Sequence, residues 1–105
     1  VARALKSLNR NLKVIGVSMD RGAAMYECQK AGKPIFVKEE ESLADALTGG
    51  IGLDNKYTFE LTKQLVDEIV LVSEKEIANG IHYAYWHESQ IVEGAGAVAI
   101  ASLLN

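Results

Sequence analysis

The stretch Glu68–Glu76, EIVLVSEKE, decides the fold that we predict for this chain. Its first five residues are mostly apolar and rich in β-branched side chains, which is typical of a buried strand. Ser73 and Glu76 then have the spacing of a capping box, in which each side chain accepts a hydrogen bond from the other residue's backbone N–H group. We therefore predict a buried strand over Glu68–Val72, followed directly by a helix that runs to about Glu88.

A second strand followed by a helix precedes this pair in the chain. The segment Leu12–Ser18, LKVIGVS, predicts another buried strand, and the loop MDRG separates it from a helix over Ala23–Ala31. Gly32 stands where a left-handed residue commonly ends a helix, and Pro34 follows it as a stop.

The remaining elements are shorter or rest on apolar spacing alone. Apolar periodicity predicts further helices over Ala2–Leu8, Tyr57–Val66 and Gly94–Leu104, the last of them rich in small residues that allow close backbone approach. The letters IFVK after Pro34 predict a short extended strand. Ser42 is placed to cap one helical turn through Leu47, before a loop that contains Gly49, Gly50 and Gly52.

Apolar strands that alternate with helices predict an α/β protein with a mostly parallel sheet between two layers of helices. Two or three strands make a small sheet, however. The start, VARALKSLNRNLKV, resembles the last turns of a helix, and the end, QIVEGAGAVAIASLLN, is almost entirely apolar. We therefore expect residues 1–105 to be one part of a three-layer αβα domain that is truncated at both ends.

Composition excludes several classes of partner. The net charge is −3 and no dense patch of Lys and Arg occurs, which argues against nucleic acid. The longest apolar run, Ala95–Leu104, is too short for a bilayer, which needs about 20 residues, so no membrane partner is expected. The single cysteine, Cys28, suits a reducing compartment and is expected to be buried, and no secretory leader is visible. These features predict a cytoplasmic protein.

Few side chains have a pattern that indicates chemistry. His82 and His87 do not pair with other ligands at metal-binding spacing, so we interpret them as surface or interface residues. We interpret Asp45 as a structural cap and Arg21 as a solvated loop residue. The spacing GGxG is not a phosphate-binding fingerprint. Glu93 precedes an apolar helix, where the free N–H groups favour a carboxylate, and a structural and a functional role are equally open for it.

Four segments taken together resemble one enzyme group. They are VIGVSMDRGAAMYECQKAGKP, SLADALTGGIGL, ELTKQLVDEIVLVSEKEI and IVEGAGAVAIASLL, in that order along nearly the whole chain. They resemble the threonine dehydratase and serine racemase group of pyridoxal-phosphate enzymes, which have the tryptophan-synthase-β fold. The combination of RGAAM, GGIGLDN, YTF and AYWHESQIVEGAGAV is most similar to the hydroxyectoine-utilization dehydratases.

The resemblance implies where the cofactor, pyridoxal 5′-phosphate, would lie. The segment SLADALTGG would pass near the cofactor ring, with Ala46 at a position where relatives often have glycine. Glu93 and Gly94 match family positions beside the ring. The acidic metal-binding residues of some relatives match Ser18 and Ala24, so no metal is expected there. The family's Schiff-base lysine and phosphate loop would lie upstream, and no lysine of this chain stands in that context, so no catalytic residue is expected.

The resemblance therefore implies part of an ammonia-lyase or dehydratase that removes water from a small hydroxy amino acid. Relatives are usually dimers or tetramers, so a homo-oligomer is expected. The isolated chain is expected to be inactive and without bound cofactor. The alternative is a non-catalytic α/β module for ligand binding or assembly, with Gly49–Gly52 as a ligand loop.

Overall fold

A computed structural model describes all residues from 1 to 105. The chain forms five α-helices, two β-strands and one 3₁₀ turn. In chain order they are α1 (Ala2–Leu8), β1 (Ile15–Met19), α2 (Ala24–Ala31), the 3₁₀ turn (Asp45–Leu47), α3 (Thr58–Leu65), β2 (Glu68–Val72), α4 (Glu74–Glu88) and α5 (Gly94–Leu104). The five predicted α-helices are all confirmed, with ends within one residue of the prediction.

The two strands form a parallel sheet in which Ile15 pairs with Glu68 and Met19 with Val72. The parallel arrangement confirms the predicted class. Two details of the prediction are wrong. β1 begins at Ile15 and not at Leu12, and the letters IFVK form no strand, so the sheet of this chain has two strands. Neither strand is buried along its length, because only Met19 and Val72 at their carboxyl ends are fully enclosed.

The core lies between the sheet and the helices α4 and α5. Its buried members come from both strands, both helices and the 3₁₀-turn segment, and they are Met19, Ala44, Val72, Ile77, Val98 and Ala101. The two helices are in close backbone contact, as the small residues predict. A Cβ atom on Gly80 of α4 would lie 2.9 Å from the carbonyl oxygen of Ala97 and 3.1 Å from the backbone nitrogen of Ala101.

The local signals at helix ends are mostly confirmed. Ser73 Oγ accepts from the N–H of Glu76 at 3.3 Å, and Glu76 Oε2 accepts from the N–H of Ser73 at 2.6 Å, which completes the capping box. Gly32 ends α2 with a φ of 80°, in the left-handed region. The predicted cap at Ser42 is wrong, because the 3₁₀ turn follows Ala44 and has no side-chain cap. Cys28 is buried, as predicted.

Ion pairs hold the opposite, amino-terminal ends of the strands. Asp67 Oδ2 accepts from Lys6 Nζ at 2.7 Å and from the backbone N–H of Val14 at 2.7 Å, which ties α1 to the segments that lead into both strands. Lys13 Nζ lies 2.8 Å from Glu68 Oε2. The hydrogen bonds from Lys6 and from the N–H of Val14 hold the pKa of Asp67 below its ordinary value of 3.8.

This lowered pKa predicts a loss of stability in acid. The folded carboxyl group binds fewer protons than the unfolded one, so its contribution is present above the unfolded pKa of 3.8 and is lost as the pH falls through the lower folded pKa. We expect Asp67→Asn to lower the free energy of unfolding at neutral pH, by an amount that shrinks as the pH drops below about 4. Urea unfolding across pH 2.5–7, sampled at roughly half-unit steps, measures this.

Asp54→Asn is the matched control, because Asp54 is exposed and its side chain makes no hydrogen bond. Its effect should stay small at every pH. A difference between wild type and Asp67→Asn that is the same at pH 3 and pH 7 would contradict the prediction.

None of the helices has the length and apolar content needed to cross a membrane.

Candidate cofactor-binding edge

Both strands end at the same edge of the sheet, which we call the carboxyl edge. Met19 and Val72 are paired there, and the chain continues from them into Asp20–Arg21 and Ser73–Glu74. The N–H of Asp20 donates to the carbonyl oxygen of Val72 at 2.9 Å, which holds the segments that follow the two strands next to each other. Ligands of parallel α/β proteins bind outside the carboxyl ends of the strands, so this edge is the candidate site.

A loop that contains the 3₁₀ turn is fixed at the carboxyl edge by one carboxylate. Glu74 Oε1 accepts from Ser42 Oγ at 2.6 Å, and Glu74 Oε2 accepts from the N–H of Leu43 at 2.7 Å. Ser42 Oγ in turn accepts from the N–H of Ala44 at 3.0 Å. These bonds fix the residues that lead into the 3₁₀ turn, which contains Ala46.

The start of α5 meets the same loop. Gly94 is buried, and a Cβ atom there would overlap the carbonyl group of Leu43 and the backbone nitrogen of Ala44. The 3₁₀ turn also packs against α5. The structure therefore packs the 3₁₀ turn that contains Ala46 against α5, which begins at Gly94 directly after Glu93. Their contact with a cofactor remains a prediction.

Glu93 is the N-cap of α5. Its Oε2 accepts from the N–H of Ala95 at 2.8 Å and its Oε1 from the N–H of Gly96 at 2.5 Å. Both carboxylate oxygens thus satisfy the first free N–H groups of an apolar helix, which is a complete structural role. The side chain is nevertheless exposed, and a carboxylate can accept further hydrogen bonds beyond these two.

The carboxyl edge carries mostly negative charge. A cavity of about 530 Å³ beside the loop is lined by Glu39, Glu40, Glu41, Ser42, Asp45 and Thr48. Hydrogen bonds from Ser42 and the N–H of Leu43 lower the pKa of Glu74, with a smaller effect from Arg21, whose Nε lies 3.8 Å from Oε1. A phosphate group is not favoured beside these carboxylates. Of the small residues in this region, Ala46 is exposed, whereas Ala44 and Gly94 are buried.

The other candidate residues are not gathered into a site. His82 and His87 are exposed on α4, as predicted, and the ring of His87 stacks on Tyr83 at a centroid distance of 4.6 Å. Arg21 is an exposed loop residue, also as predicted. The prediction of a cap at Asp45 is wrong, because its side chain accepts no hydrogen bond at the 3₁₀ turn. Lys6 and Lys13 are paired with acids at the far end of the sheet.

The positions that the resemblance links to a metal are occupied by small side chains. Ser18 Oγ lies 3.4 Å from the sulfur of Met19, and Ala24 is buried at the start of α2. The structure contains no group of three His, Cys, Asp or Glu side chains that could hold a metal ion. The absence of a metal in the working protein stays a prediction.

Sequence reasoning missed Glu74 and the partner role of Ser42. Glu74 is the first residue of a helix, where an acidic side chain is usually explained by the helix dipole. Its partners stand 31 and 32 positions earlier in the chain. No local pattern connects these residues, so only the folded structure could identify the contact.

Comparison with known proteins identifies the class. The model of the pyridoxal-phosphate dependent enzyme family matches residues 1–105, and the chain belongs to this family. The fold is accordingly α/β, part of the three-layer, mostly parallel domain of tryptophan-synthase-β-like enzymes.

Within the family the chain is similar to threonine dehydratases. It is 57% identical over its whole length to the "Putative threonine dehydratase" of Sinorhizobium fredii and covers 32% of that protein. It is 38% identical over its whole length to the L-threonine ammonia-lyase of Thermotoga maritima and covers 26% of it. The chain thus spans about a third or less of the curated relatives it matches.

Solved structures agree on the fold. A threonine deaminase from T.th. superposes with a TM-score of 0.84 at 26% identity, over 98% of this chain and 37% of that one. Maize serine racemase superposes with a TM-score of 0.89, over 99% of this chain and 32% of that one. Its identity of 24% supports the fold alone.

Proposed function

We propose that this chain is a segment of the large cofactor domain of a pyridoxal-phosphate dependent ammonia-lyase. The whole protein removes water from a small hydroxy amino acid, threonine or serine, and releases a 2-oxo acid and ammonia. The observation that carries this proposal is the match of all 105 residues to the family, together with relatives named as threonine dehydratases. Bound pyridoxal phosphate supplies the electron sink for this elimination.

The residues of this chain form one wall of the cofactor site in this proposal. Ala46 and Gly94 lie beside the ring, and Glu93 presents a carboxylate from the N-cap of α5. These groups orient the ring and exclude water from one side. The acidic carboxyl edge supports a division of roles, since the phosphate and the reactive lysine require a different environment. We assign both to parts of the protein outside residues 1–105.

The experiment compares the whole protein with the 105-residue chain in the presence of pyridoxal phosphate. The whole protein should develop the visible absorption of a lysine-bound cofactor and convert threonine or serine to a 2-oxo acid, measured with a coupled dehydrogenase. The 105-residue chain should show neither. Turnover by the short chain would contradict the assignment of the lysine elsewhere. A whole protein that does not bind pyridoxal phosphate would favour the alternative, a non-catalytic module with Gly49–Gly52 as its ligand loop.

A narrower substrate assignment rests on the motifs RGAAM, GGIGLDN, YTF and AYWHESQIVEGAGAV. We propose that the protein acts in hydroxyectoine utilization. A strain that lacks the gene should then lose growth on hydroxyectoine and keep growth on glucose. Unimpaired growth on both would contradict this assignment and leave threonine or serine as the substrate.

We also propose that the whole protein is a cytoplasmic homo-oligomer. The support is the set of large apolar side chains that this segment leaves exposed, among them Phe36, Trp86 and Ile91, and its single free cysteine. Light scattering of the whole protein should give a mass of at least two subunits, and a monomer would contradict the proposal.

A further inference from the structure

Glu74 makes contacts that its own helix does not require. The capping box of Ser73 and Glu76 already satisfies the start of α4. Both carboxylate oxygens of Glu74 instead bind the loop before the 3₁₀ turn, at 2.6 Å from Ser42 Oγ and 2.7 Å from the N–H of Leu43. The helix dipole would favour a glutamate here in any orientation. It does not explain why both oxygens accept hydrogen bonds from a distant segment.

The bound loop is the one that touches the start of α5. Ser42 Oγ, which donates to Glu74, also accepts a hydrogen bond from the N–H of Ala44. The carbonyl of Leu43 and the nitrogen of Ala44 are the backbone atoms that a Cβ atom on Gly94 would overlap. One carboxylate therefore holds the part of the loop whose backbone lies against Gly94.

The surroundings of Glu74 keep these bonds effective. Its side chain is 25% exposed, so water competes only partly for its oxygens. The nearest cation is Arg21, whose Nε lies 3.8 Å from Glu74 Oε1 and 3.4 Å from Asp20 Oδ1. Charge-assisted hydrogen bonds to a fixed backbone N–H group are shorter and stronger than neutral ones. The contact is therefore a rigid link between β2, α4 and the loop.

We propose that Glu74 is a positioning residue that holds the Ser42–Leu47 loop at the correct distance from Gly94, so that Ala46 meets the cofactor ring. This rests on the proposed function. Glu74 touches neither cofactor nor substrate and acts through Ser42 and Leu43. Misplacing groups around a reacting centre by about 1 Å can cost about a hundredfold in rate, so a shift of this loop should be measurable.

The test uses the whole protein with Glu74→Ala, Glu74→Gln and Ser42→Ala. Glu88→Gln is the matched control, because Glu88 lies on the same helix, is exposed and has no hydrogen-bond partner. Three quantities are measured: hydrogen exchange of the Leu43 and Ala44 amides without cofactor, the visible circular dichroism of bound pyridoxal phosphate, and kcat and KM for the hydroxy amino acid.

We expect Glu74→Ala to speed exchange of the two amides, to reduce the visible dichroism and to lower kcat about tenfold to a hundredfold with a smaller change in KM. Glu74→Gln can still accept from the N–H of Leu43, so it should recover part of the signal. Ser42→Ala removes one of the two contacts and should show the same changes to a smaller degree. Combining Ser42→Ala with Glu74→Ala should add little, because Glu74→Ala already removes the hydrogen bond from Ser42.

The outcomes separate this proposal from the one on which it rests. A wild-type protein that takes up no pyridoxal phosphate would contradict the proposed function and the positioning role together. A wild-type protein that binds the cofactor, with Glu74→Ala equal to Glu88→Gln in dichroism and kcat, would overturn the positioning role alone. If Glu74→Ala does not fold, Ser42→Ala decides, and wild-type dichroism and kcat in that variant would overturn the role.

Discussion

Gly94→Ala is expected to be severely destabilising, although it adds a single methyl group. A Cβ atom at this position would overlap the carbonyl of Leu43 and the backbone nitrogen of Ala44. Alanine is better than glycine in a helix by about 1 kcal/mol. Overpacking costs about 1–3 kcal/mol even where side chains can shift, and here the obstacle is backbone. The steric clash should therefore outweigh the gain in helix propensity, and the free energy of unfolding should fall by about 3 kcal/mol or more.

Urea unfolding measures the loss, and Gly50→Ala is the control. A Cβ atom on Gly50 has only the nitrogen of Gly52 within reach, at 4.0 Å, and the backbone there is not in the left-handed region. That variant should stay close to wild type. If the proposed function holds, Gly94→Ala should also weaken pyridoxal-phosphate binding in the whole protein. A Gly94→Ala protein as stable as wild type would show that the loop and α5 are not in firm contact.

Ile77→Ala is expected to have the second large effect. Ile77 has no exposed surface and is among the largest fully enclosed side chains of the core between the sheet, α4 and α5. Replacing a buried isoleucine with alanine lowers the free energy of unfolding by about 2–5 kcal/mol, because the loss of buried apolar surface and the cavity left behind both destabilise the fold. Unfolding by urea should show a lower midpoint with an unchanged slope.

Ile91→Ala removes the same atoms from a side chain that is 91% exposed. It should change the free energy of unfolding by less than about 0.5 kcal/mol. Equal effects of the two substitutions would mean that the enclosed cluster does not support the fold. A loss confined to Ile77→Ala would show that the buried cluster between the sheet, α4 and α5 stabilises the fold.

The elements that the sequence predicted most accurately carry their signals locally. The strand Glu68–Val72 and the helix from Glu74 to Glu88 were predicted at the correct residues because the capping box fixes the boundary between them. The apolar helix Gly94–Leu104 was also placed correctly. In each case the information lies within a few neighbouring residues.

The errors occur where a distant group competes for the backbone. Leu12–Val14 have the composition of a strand, but the N–H of Val14 donates to the side chain of Asp67, and β1 begins after it. In IFVK, the N–H of Ile35 donates to the sulfur of Cys28 at 3.3 Å, and no strand pairs with this segment. Ser42 binds Glu74 and does not cap its own turn.

The candidate site also combines features that a local pattern indicates with contacts that only the folded structure shows. The resemblance identified Ala46, Glu93 and Gly94, and the structure shows that the 3₁₀ turn containing Ala46 packs against α5. Composition and periodicity alone indicated only that Glu93 stands before an apolar helix. The packing of Gly94 on Leu43 depends on two segments 51 positions apart, which no pattern within either segment predicts.

The parallel pairing of β1 and β2 also has a consequence for synthesis on the ribosome. Ile15 pairs with Glu68, so β1 cannot pair with β2 until β2 has been synthesised. The residues just before the two strands, Val14 and Asp67, are 53 positions apart. At about 5–20 residues per second, translation leaves β1 without its neighbour for roughly 3–10 seconds. During that interval the edge of β1 that pairs with β2 has no partner, and an unpaired strand edge is prone to association with other chains.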